Sequence, residues 1–172
     1  LSVHRYLEGE TWGEAVRWGL FHAISAFNNA GFALTPVTLT GESGSPVAVL
    51  TFTVLIVAGS LGFLPVMALL KWRSFSRLAL DHKLVLTTAL AMLVLGTLAV
   101  TALEWDNPAT VGGHTTEEKP LAGLFHTANR TAGFSAFDVG ELKDETKLVT
   151  IGLMFVGGAT GSTAGGLKLG AF

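Results

Sequence analysis

The chain lacks cysteine and is poor in charge. None of its 172 residues is cysteine, which excludes disulfide bonds and thiolate metal sites. Charged residues make up 14% of the sequence and hydrophobic residues 49%, whereas an ordinary soluble domain carries about 25% charge. The mean hydropathy of +0.52 agrees with that shortage. The composition therefore predicts a protein whose main solvent is lipid.

Further absences argue against three kinds of site. The formal net charge is −2 and no run of lysine or arginine resembles a phosphate-binding arm, so nucleic acid is not an expected partner. The five histidines lack the spacing of metal ligands, which disfavours a structural zinc site. A glycine-rich stretch ends in Gly166-Leu167-Lys168 rather than Gly-Lys-Ser/Thr, so a Walker A nucleotide loop is not expected either.

Three uncharged stretches are candidate membrane spans, and the first two are predicted to cross a hydrocarbon core of about 30 Å at 1.5 Å per residue. They are Pro46–Leu70, Leu84–Leu103 and Leu148–Leu167. The second half of the third consists almost entirely of small residues and would make a poor lipid-facing helix. Since non-helical backbone at membrane depth must be surrounded by protein or line water, that half is predicted to border a cavity.

Two short segments repeat nearly the same sequence. Gly-Leu-Phe-His begins at Gly19 and again at Gly123, and each copy leads into a tetrad that contains Ala-Gly-Phe. The tetrads consist of Asn29, Ala30, Gly31 and Phe32, and of Thr131, Ala132, Gly133 and Phe134. Because an ion-selective pore needs several equivalent backbone loops around one axis, this repeat points to a cation pathway.

The segments before the tetrads, Trp18–Asn28 and Pro120–Arg130, are apolar but too short to span a bilayer. We interpret them as re-entrant pore helices. The alternatives are a short amphipathic helix at the membrane interface and an ordinary glycine turn after a helix. The same order of elements occurs twice, which favours the pore helices.

Backbone carbonyls can replace the water shell of an alkali cation only if successive peptide groups point to one side. That geometry requires unusual backbone angles, which glycine adopts at little steric cost, so Gly31 and Gly133 are predicted to turn the tetrad carbonyls inward. Phe32 and Phe134 would wedge the loops from behind. Arg130 would repel a cation on the pore axis; we therefore expect it to point away, pair with Asp138 or Glu141, and support the filter.

Charge gives the direction of the chain. Residues 71–83 hold four basic residues against Asp81, a net charge of +3, and residues 104–119 hold four acidic residues against Lys119, a net charge of −3. By the positive-inside rule, residues 71–83 form a cytoplasmic linker, and the tetrads face outward.

The glycine-rich stretch is the third distinctive feature. It consists of Gly157, Gly158, Ala159, Thr160, Gly161, Ser162, Thr163, Ala164, Gly165 and Gly166. Small residues let a helix break beneath a pore, and the hydroxyl groups can satisfy the freed backbone. Close packing of helices through small residues is the alternative.

These three motifs together resemble the Trk/Ktr/HKT superfamily of potassium transporters, in particular bacterial membrane subunits of the TrkH/KtrB type. That family has four helix-pore-helix units around one pathway. The resemblance implies an all-α integral membrane fold, with residues 1–70 as the pore helix, filter loop and inner helix of one unit. Residues 84–172 would then be the outer helix, pore helix, filter loop and broken inner helix of the next unit, and we expect the chain to be a fragment.

The resemblance also implies function and partners. The two tetrads would be two of four filter segments that bind K⁺ through backbone carbonyls, with residues 157–166 as the gating loop. Family members form homodimers in the plasma membrane and bind a cytosolic nucleotide-sensing RCK ring. No cofactor beyond the permeant K⁺ is expected. We therefore predict potassium uptake through a channel or symporter; the alternative is an integral-membrane enzyme or assembly subunit whose glycine-rich loop binds a polar substrate.

Overall fold

A computed structural model describes residues 1–7, 9–34, 45–72, 78–134 and 137–168. Over these residues the chain forms α-helices joined by loops and short 3₁₀ turns, with no β-strand. The helices are α1 (Ser2–Leu7), α2 (Trp12–Phe27), α3 (Pro46–Leu61), α4 (Phe63–Trp72), α5 (Leu80–Leu103), α6 (Lys119–Ala128) and α7 (Asp144–Phe155). Residues 73–77 of the predicted cytoplasmic linker lie outside the described ranges.

Helix α5 contains the predicted span Leu84–Leu103. Its 24 residues extend about 36 Å at 1.5 Å per residue. Only 22% of its most apolar window is buried, and Leu90 and Leu95 are 63% and 65% exposed. Among the described helices, α5 alone is long and apolar enough to cross a bilayer. Its outward leucines indicate that this helix has an apolar surrounding rather than water.

The predicted span Pro46–Leu70 is not one helix, because the chain breaks at Gly62. There the backbone adopts φ +73°, and α3 ends just before it. Pro65 follows within the first turn of α4; a proline lacks the N–H that would continue the hydrogen-bond ladder from α3. The break leaves carbonyl groups at the end of α3 free to accept other donors.

The first predicted pore helix is longer than expected. Helix α2 begins at Trp12 instead of Trp18, because Thr11 caps it: the Thr11 hydroxyl accepts from the Glu14 N–H, and the Glu14 carboxylate accepts from the Thr11 N–H. This reciprocal pair is a capping box, for which Thr-x-x-Glu is the sequence signature. The second pore helix, α6, closely matches the predicted segment Pro120–Arg130.

The two copies of Gly-Leu-Phe-His occupy equivalent places in the fold. A Cβ atom on Gly19 would lie 2.2 Å from Ser2 Oγ in α1, and one on Gly123 would lie 2.1 Å from Thr101 Oγ1 in α5. In each copy, glycine therefore leaves room for a hydroxyl side chain of the preceding helix where the two helices cross. The sequence repeat thus corresponds to a repeated helix crossing.

The core lies between α2, α3 and α6. Phe52 of α3 is fully buried, and its ring centroid lies 6.2 Å from that of Trp18 in α2, 6.0 Å from Phe125 in α6 and 5.4 Å from Phe134 in the second tetrad. Edge-on aromatic contacts of this kind add to the free energy of burying the rings. Phe52 thereby fixes the two pore helices relative to each other.

A buried carboxylate joins the segments that surround α6. Glu104, which follows α5, is 0% exposed. Its carboxylate accepts hydrogen bonds from the hydroxyls of Thr110 and Thr146, the backbone N–H of Lys143 and the side-chain amide of Asn107. Burial opposes ionisation of Glu104, but these donors outweigh it and hold its pKa below the usual value. In the sequence analysis, Glu104 had counted only as one of the acidic residues of segment 104–119.

Glu104→Gln should destabilise the protein, because the amide nitrogen of glutamine would face two donors. We expect a loss of about 2 kcal/mol in the free energy of unfolding at pH 7, the usual cost of burying unsatisfied polar groups. Since the folded-state pKa is lowered, wild type has the full benefit above pH 4.5, the ordinary value for glutamate, and loses it as the pH falls through the folded-state pKa. Thermal unfolding of the full-length protein in detergent measures both effects.

The matched control for this substitution is Glu117→Gln, which removes an exposed carboxylate from the same loop. It should leave the unfolding temperature unchanged. The difference in unfolding temperature between wild type and Glu104→Gln should become smaller in acid. Equal unfolding temperatures for wild type and Glu104→Gln at pH 7 would contradict the assigned role of Glu104.

Candidate ion pathway

The two tetrads meet at their glycines. A Cβ atom on Gly31 would lie 2.3 Å from the carbonyl oxygen of Ala132 and 3.0 Å from Gly133 Cα, and one on Gly133 would lie 3.6 Å from Gly31 Cα. The Thr131 hydroxyl also donates to Asn29 Oδ1 at 3.3 Å. Segments about one hundred residues apart in the sequence are therefore in direct backbone contact. The structure brings together the residues that the repeat singled out.

Both tetrad glycines adopt the backbone conformation for which the sequence predicted them. Gly31 has φ +71° and Gly133 has φ +85°, values that other residues reach only at a cost of about 1–2 kcal/mol. The pore helices α2 and α6 end immediately before the tetrads. The partial negative charge at the C-terminus of each helix is consequently close to the point where the tetrads meet.

The tetrads are related but not identical. Asn29 has φ +50°, whereas Thr131, at the corresponding position, ends a 3₁₀ turn. Phe134 is 5% exposed and packs behind its loop, as predicted, but Phe32 is 70% exposed. The expectation that Phe32 also wedges its loop was wrong for the described residues. Its carbonyl instead accepts from Ser25 Oγ at 2.8 Å, which attaches the loop to α2.

The two repeated histidines support the loops from behind. His22 is fully buried, and its Nδ1 lies 2.8 Å from the carbonyl oxygen of Trp18 while its Nε2 accepts from the N–H of Leu34 at 3.5 Å. The ring of His126 stacks on Phe137 at 5.2 Å, and its Nε2 lies 3.1 Å from Thr150 Oγ1. Both rings pack and form hydrogen bonds within the protein.

The predicted ion pair of Arg130 does not form among the described residues. Asp138 instead accepts the N–H of Gly140 at 2.8 Å and caps a short 3₁₀ turn, so its carboxylate is engaged locally. Among the described residues, Arg130 forms no ion pair with Glu141 either. Its guanidinium makes a long contact, 3.5 Å, with the carbonyl of Thr127, and its buried Nε has no hydrogen-bond partner among the residues that the structure describes. Support of the filter by Arg130 remains a prediction.

The glycine-rich segment 157–166 forms a loop whose two ends touch. The N–H of Gly157 donates to the carbonyl of Leu167 at 2.9 Å. The N–H of Leu167 in turn donates to the carbonyl of Phe155 at 3.0 Å. A Cβ atom on Gly157 would lie 2.1 Å from the carbonyl oxygen of Gly165, so the neck of the loop has no space for a side chain. The predicted span Leu148–Leu167 is thus helical only as far as Phe155 and then folds back on itself.

The loop is anchored where α3 ends. The N–H of Ala159 donates to the carbonyl of Ser60 at 2.9 Å, and the N–H of Thr163 donates to that of Gly59 at 3.2 Å. These are carbonyls released by the break at Gly62, so the two irregular segments satisfy each other's backbone groups. Sequence reasoning missed this anchor, although Gly62 followed by Pro65 was its signal.

Lys168 forms hydrogen bonds with carbonyl groups of the glycine-rich loop. Its ammonium donates to the carbonyl of Ser162 at 3.2 Å and to the carbonyl of Ala164. The charge of this lysine therefore satisfies loop carbonyls that have no helical partner. The sequence had marked Lys168 only as the residue at the end of the stretch.

Comparison with known proteins identifies the family of the chain. A family model described as TrkH, a cation transport protein, matches residues 3–171. The chain belongs to this family. Ktr system potassium uptake protein B from Bacillus subtilis is 40% identical over 162 residues, which cover 94% of this chain and 36% of that protein. The protein of the same name from Vibrio alginolyticus is 36% identical over 172 residues, covering 98% of this chain and 38% of that protein.

The chain thus spans a little more than a third of the length of these relatives. The crystal structure of the potassium transporter TrkH from Vibrio parahaemolyticus shares the fold, with a TM-score of 0.73 and 21% identity over 98% of this chain and 35% of that one. The all-α membrane fold and the Trk/Ktr resemblance predicted from the sequence are confirmed.

The contact between the tetrads predicts unequal effects of two alanine substitutions. Gly31→Ala should lower the unfolding temperature more than Gly133→Ala, because both place alanine at positive φ but only the first also drives a methyl group into the Ala132 carbonyl. We expect about 1–2 kcal/mol of destabilisation for Gly133→Ala and more for Gly31→Ala. Thermal unfolding of the full-length protein in detergent measures this order.

Gly152→Ala is the control, since Gly152 lies inside α7 and no atom lies within 4 Å of its added Cβ. That substitution should be neutral or stabilise the helix by up to about 1 kcal/mol. A Gly31→Ala protein as stable as the Gly152→Ala protein would show that the two hairpins do not touch.

Proposed function

We propose that this chain forms part of a potassium uptake pathway, to which it contributes two filter hairpins and one gating loop. The observation that carries the proposal is the backbone contact between Gly31 and the Ala132–Gly133 peptide. Two hairpins whose backbones are in contact can line the same lumen. Hairpins far apart could not share an ion.

The chemistry of binding is the exchange of water for peptide oxygens. A dehydrated monovalent cation needs several oxygens around it, and the carbonyls of Asn29–Gly31 and Thr131–Phe134 supply part of that set. The Phe32 carbonyl already accepts from Ser25 Oγ. The C-terminal ends of α2 and α6 add partial negative charge, which favours a cation. K⁺ is the permeant ion because the relatives of this chain carry potassium uptake in their names.

The gate of the proposed pathway is the loop 157–166. A cavity of about 290 Å³ lies at its side, lined among others by Phe27, Gly59, Gly62 and Thr163. A loop that fills space next to the filter can obstruct an ion, and a loop without helical hydrogen bonds can move at lower cost than a helix.

The proposed setting is the plasma membrane, with the tetrads facing outward and residues 71–83 in the cytoplasm. Residues 1–70 and 84–172 then correspond to parts of two successive units, and further units complete the ring of filter segments. The full-length subunit forms a homodimer in the bilayer and binds a cytosolic RCK regulatory ring. The Ktr system names of the relatives agree with a multi-component transporter.

An integral-membrane enzyme has less support. Over the described ranges, no group of three or more His, Asp or Glu side chains comes together, and the three uncharged stretches contain no Asp, Glu, Lys, Arg, His or Cys. Each relative compared above is named for potassium uptake or transport. These observations favour transport over catalysis.

Uptake of Rb⁺ into liposomes that contain the full-length protein tests the proposal. Gly31→Ser and Gly133→Ser should each lower Rb⁺ uptake or its preference over Na⁺ by at least about ten-fold, because a misplacement worth about 1.4 kcal/mol of ion binding has that effect. Gly152→Ser, whose side chain meets open space in the described structure, should behave as wild type. Unaltered uptake and selectivity in both tetrad variants would refute the filter assignment.

A further inference from the structure

Three side-chain hydrogen bonds connect the filter hairpins to the glycine-rich loop. The Thr131 hydroxyl donates to Asn29 Oδ1 at 3.3 Å, Asn29 Nδ2 donates to Thr163 Oγ1 at 2.9 Å, and the Thr163 hydroxyl donates to the carbonyl of Phe27 at 3.0 Å. The series begins in the second tetrad, passes through the first, and ends on the last residue of α2. Thr163 is its member from the loop.

The direction of these bonds is fixed by the chemistry of the groups. A threonine hydroxyl has one hydrogen, and Thr163 uses it on Phe27, so Thr163 Oγ1 can only accept from Asn29. That requirement aims the amide nitrogen of Asn29 at the loop and its amide oxygen at Thr131. One orientation of the Asn29 amide therefore satisfies both hairpins and the loop.

The backbone of Asn29 is adapted to this position. Asn29 is the one non-glycine among the described residues with positive φ, at +50°, a conformation that asparagine tolerates better than most residues. A non-glycine residue in this region persists only where its surroundings hold it there. Here the amide is held by Thr131 on one side and, on the other, by Thr163 and the carbonyl of Ile56, which Asn29 Nδ2 approaches at 3.4 Å.

The glycine-rich loop is also packed closely against the end of α3. The Thr163 N–H donates to the carbonyl of Gly59 at 3.2 Å. A Cβ atom on Gly59 would lie 1.8 Å from the carbonyl oxygen of Phe27 and 2.9 Å from Thr163 Oγ1. Thr163 is thus held by its backbone to α3 and by its hydroxyl to α2 and Asn29.

We propose that Asn29 and Thr163 are positioning residues that hold the loop 157–166 closed against the first filter hairpin; this inference rests on the proposed function. The loop cannot leave the pathway without breaking the bonds of the Thr163 hydroxyl to Asn29 and Phe27. Lys168, bound to the carbonyls of Ser162 and Ala164, keeps the loop together, so it moves as one unit. Opening of the loop also frees the Asn29 amide, and with it one restraint on Thr131.

Thr163→Val tests this role, because valine keeps the shape of threonine without the hydroxyl. The closed state should lose about five-fold in its population ratio for each net hydrogen bond removed, so Rb⁺ flux through the full-length protein in liposomes should rise at least that much without regulatory ligand. Thr163→Ser keeps the hydroxyl and should restore wild-type flux. Thr116→Val is the control and should keep wild-type flux: it removes an exposed hydroxyl outside the loop, one that makes no side-chain hydrogen bond in the described structure.

The partner residue is tested by Asn29→Gly, since glycine accepts the positive φ of this position and removes only the amide. Flux should rise as in Thr163→Val. The double variant Asn29→Gly/Thr163→Val should show less than the product of the two single increases, because both remove the shared bond.

A second readout follows loop position directly. In a full-length protein without other cysteines, Ala159→Cys, at a position that is 2% exposed in the closed loop, should react faster with a charged, membrane-impermeant thiol reagent when Thr163→Val or Asn29→Gly is also present. Should Thr163→Val fail to accumulate in the membrane, Asn29→Gly carries the same test with the loop sequence intact.

The outcomes separate this inference from the proposed function. Wild-type flux and wild-type thiol reactivity in Thr163→Val and Asn29→Gly would overturn the positioning role, even if Gly31→Ser still changed Rb⁺ uptake or selectivity and so upheld the filter. Raised flux in both variants, with rescue by Thr163→Ser, supports it. Loss of the filter assignment would appear separately, as unaltered Rb⁺ uptake and selectivity in Gly31→Ser and Gly133→Ser.

Discussion

The close approach of two backbone hairpins at Gly31 and Gly133 is the constraint on which the other features of the structure depend. A side chain at Gly31 would clash with the Ala132 carbonyl. At both positions, a residue other than glycine would adopt the positive φ only at a cost in free energy. The surrounding elements hold this contact in place. Phe52 packs against both pore helices, and Glu104 ties the segments around α6 together.

A second constraint is that backbone groups away from water need partners within the protein. Where α3 stops at Gly62, its last carbonyls accept N–H groups from the glycine-rich loop, and the loop in turn depends on those carbonyls and on Lys168. Two broken segments therefore stabilise each other. The loop is therefore held by individual hydrogen bonds and not by the regular pattern of a helix.

Much of this arrangement could be predicted from the sequence, and the failures have physical reasons. The repeat predicted the helices before both tetrads and the positive φ of both glycines. These features could be predicted because they depend on residues that are close together in the sequence. The break within Pro46–Leu70 was missed because hydropathy does not register Gly62 and Pro65. The buried state of Glu104, the exposure of Phe32 and the bond between Asn29 and Thr163 depend on residues far away in the chain, which composition and spacing do not reveal.

The central claim is that tetrad carbonyls contact the permeant ion, and solid-state NMR of the full-length protein in bilayers tests it most directly. Labelling alanine carbonyls with ¹³C and glycine amides with ¹⁵N selects the Ala30–Gly31, Ala132–Gly133 and Ala122–Gly123 peptides, among others in this chain. Replacing K⁺ by a large organic cation should shift the carbonyl signals of the two tetrad peptides and leave that of helical Ala122 in place. Identical tetrad signals in both cations would contradict the account.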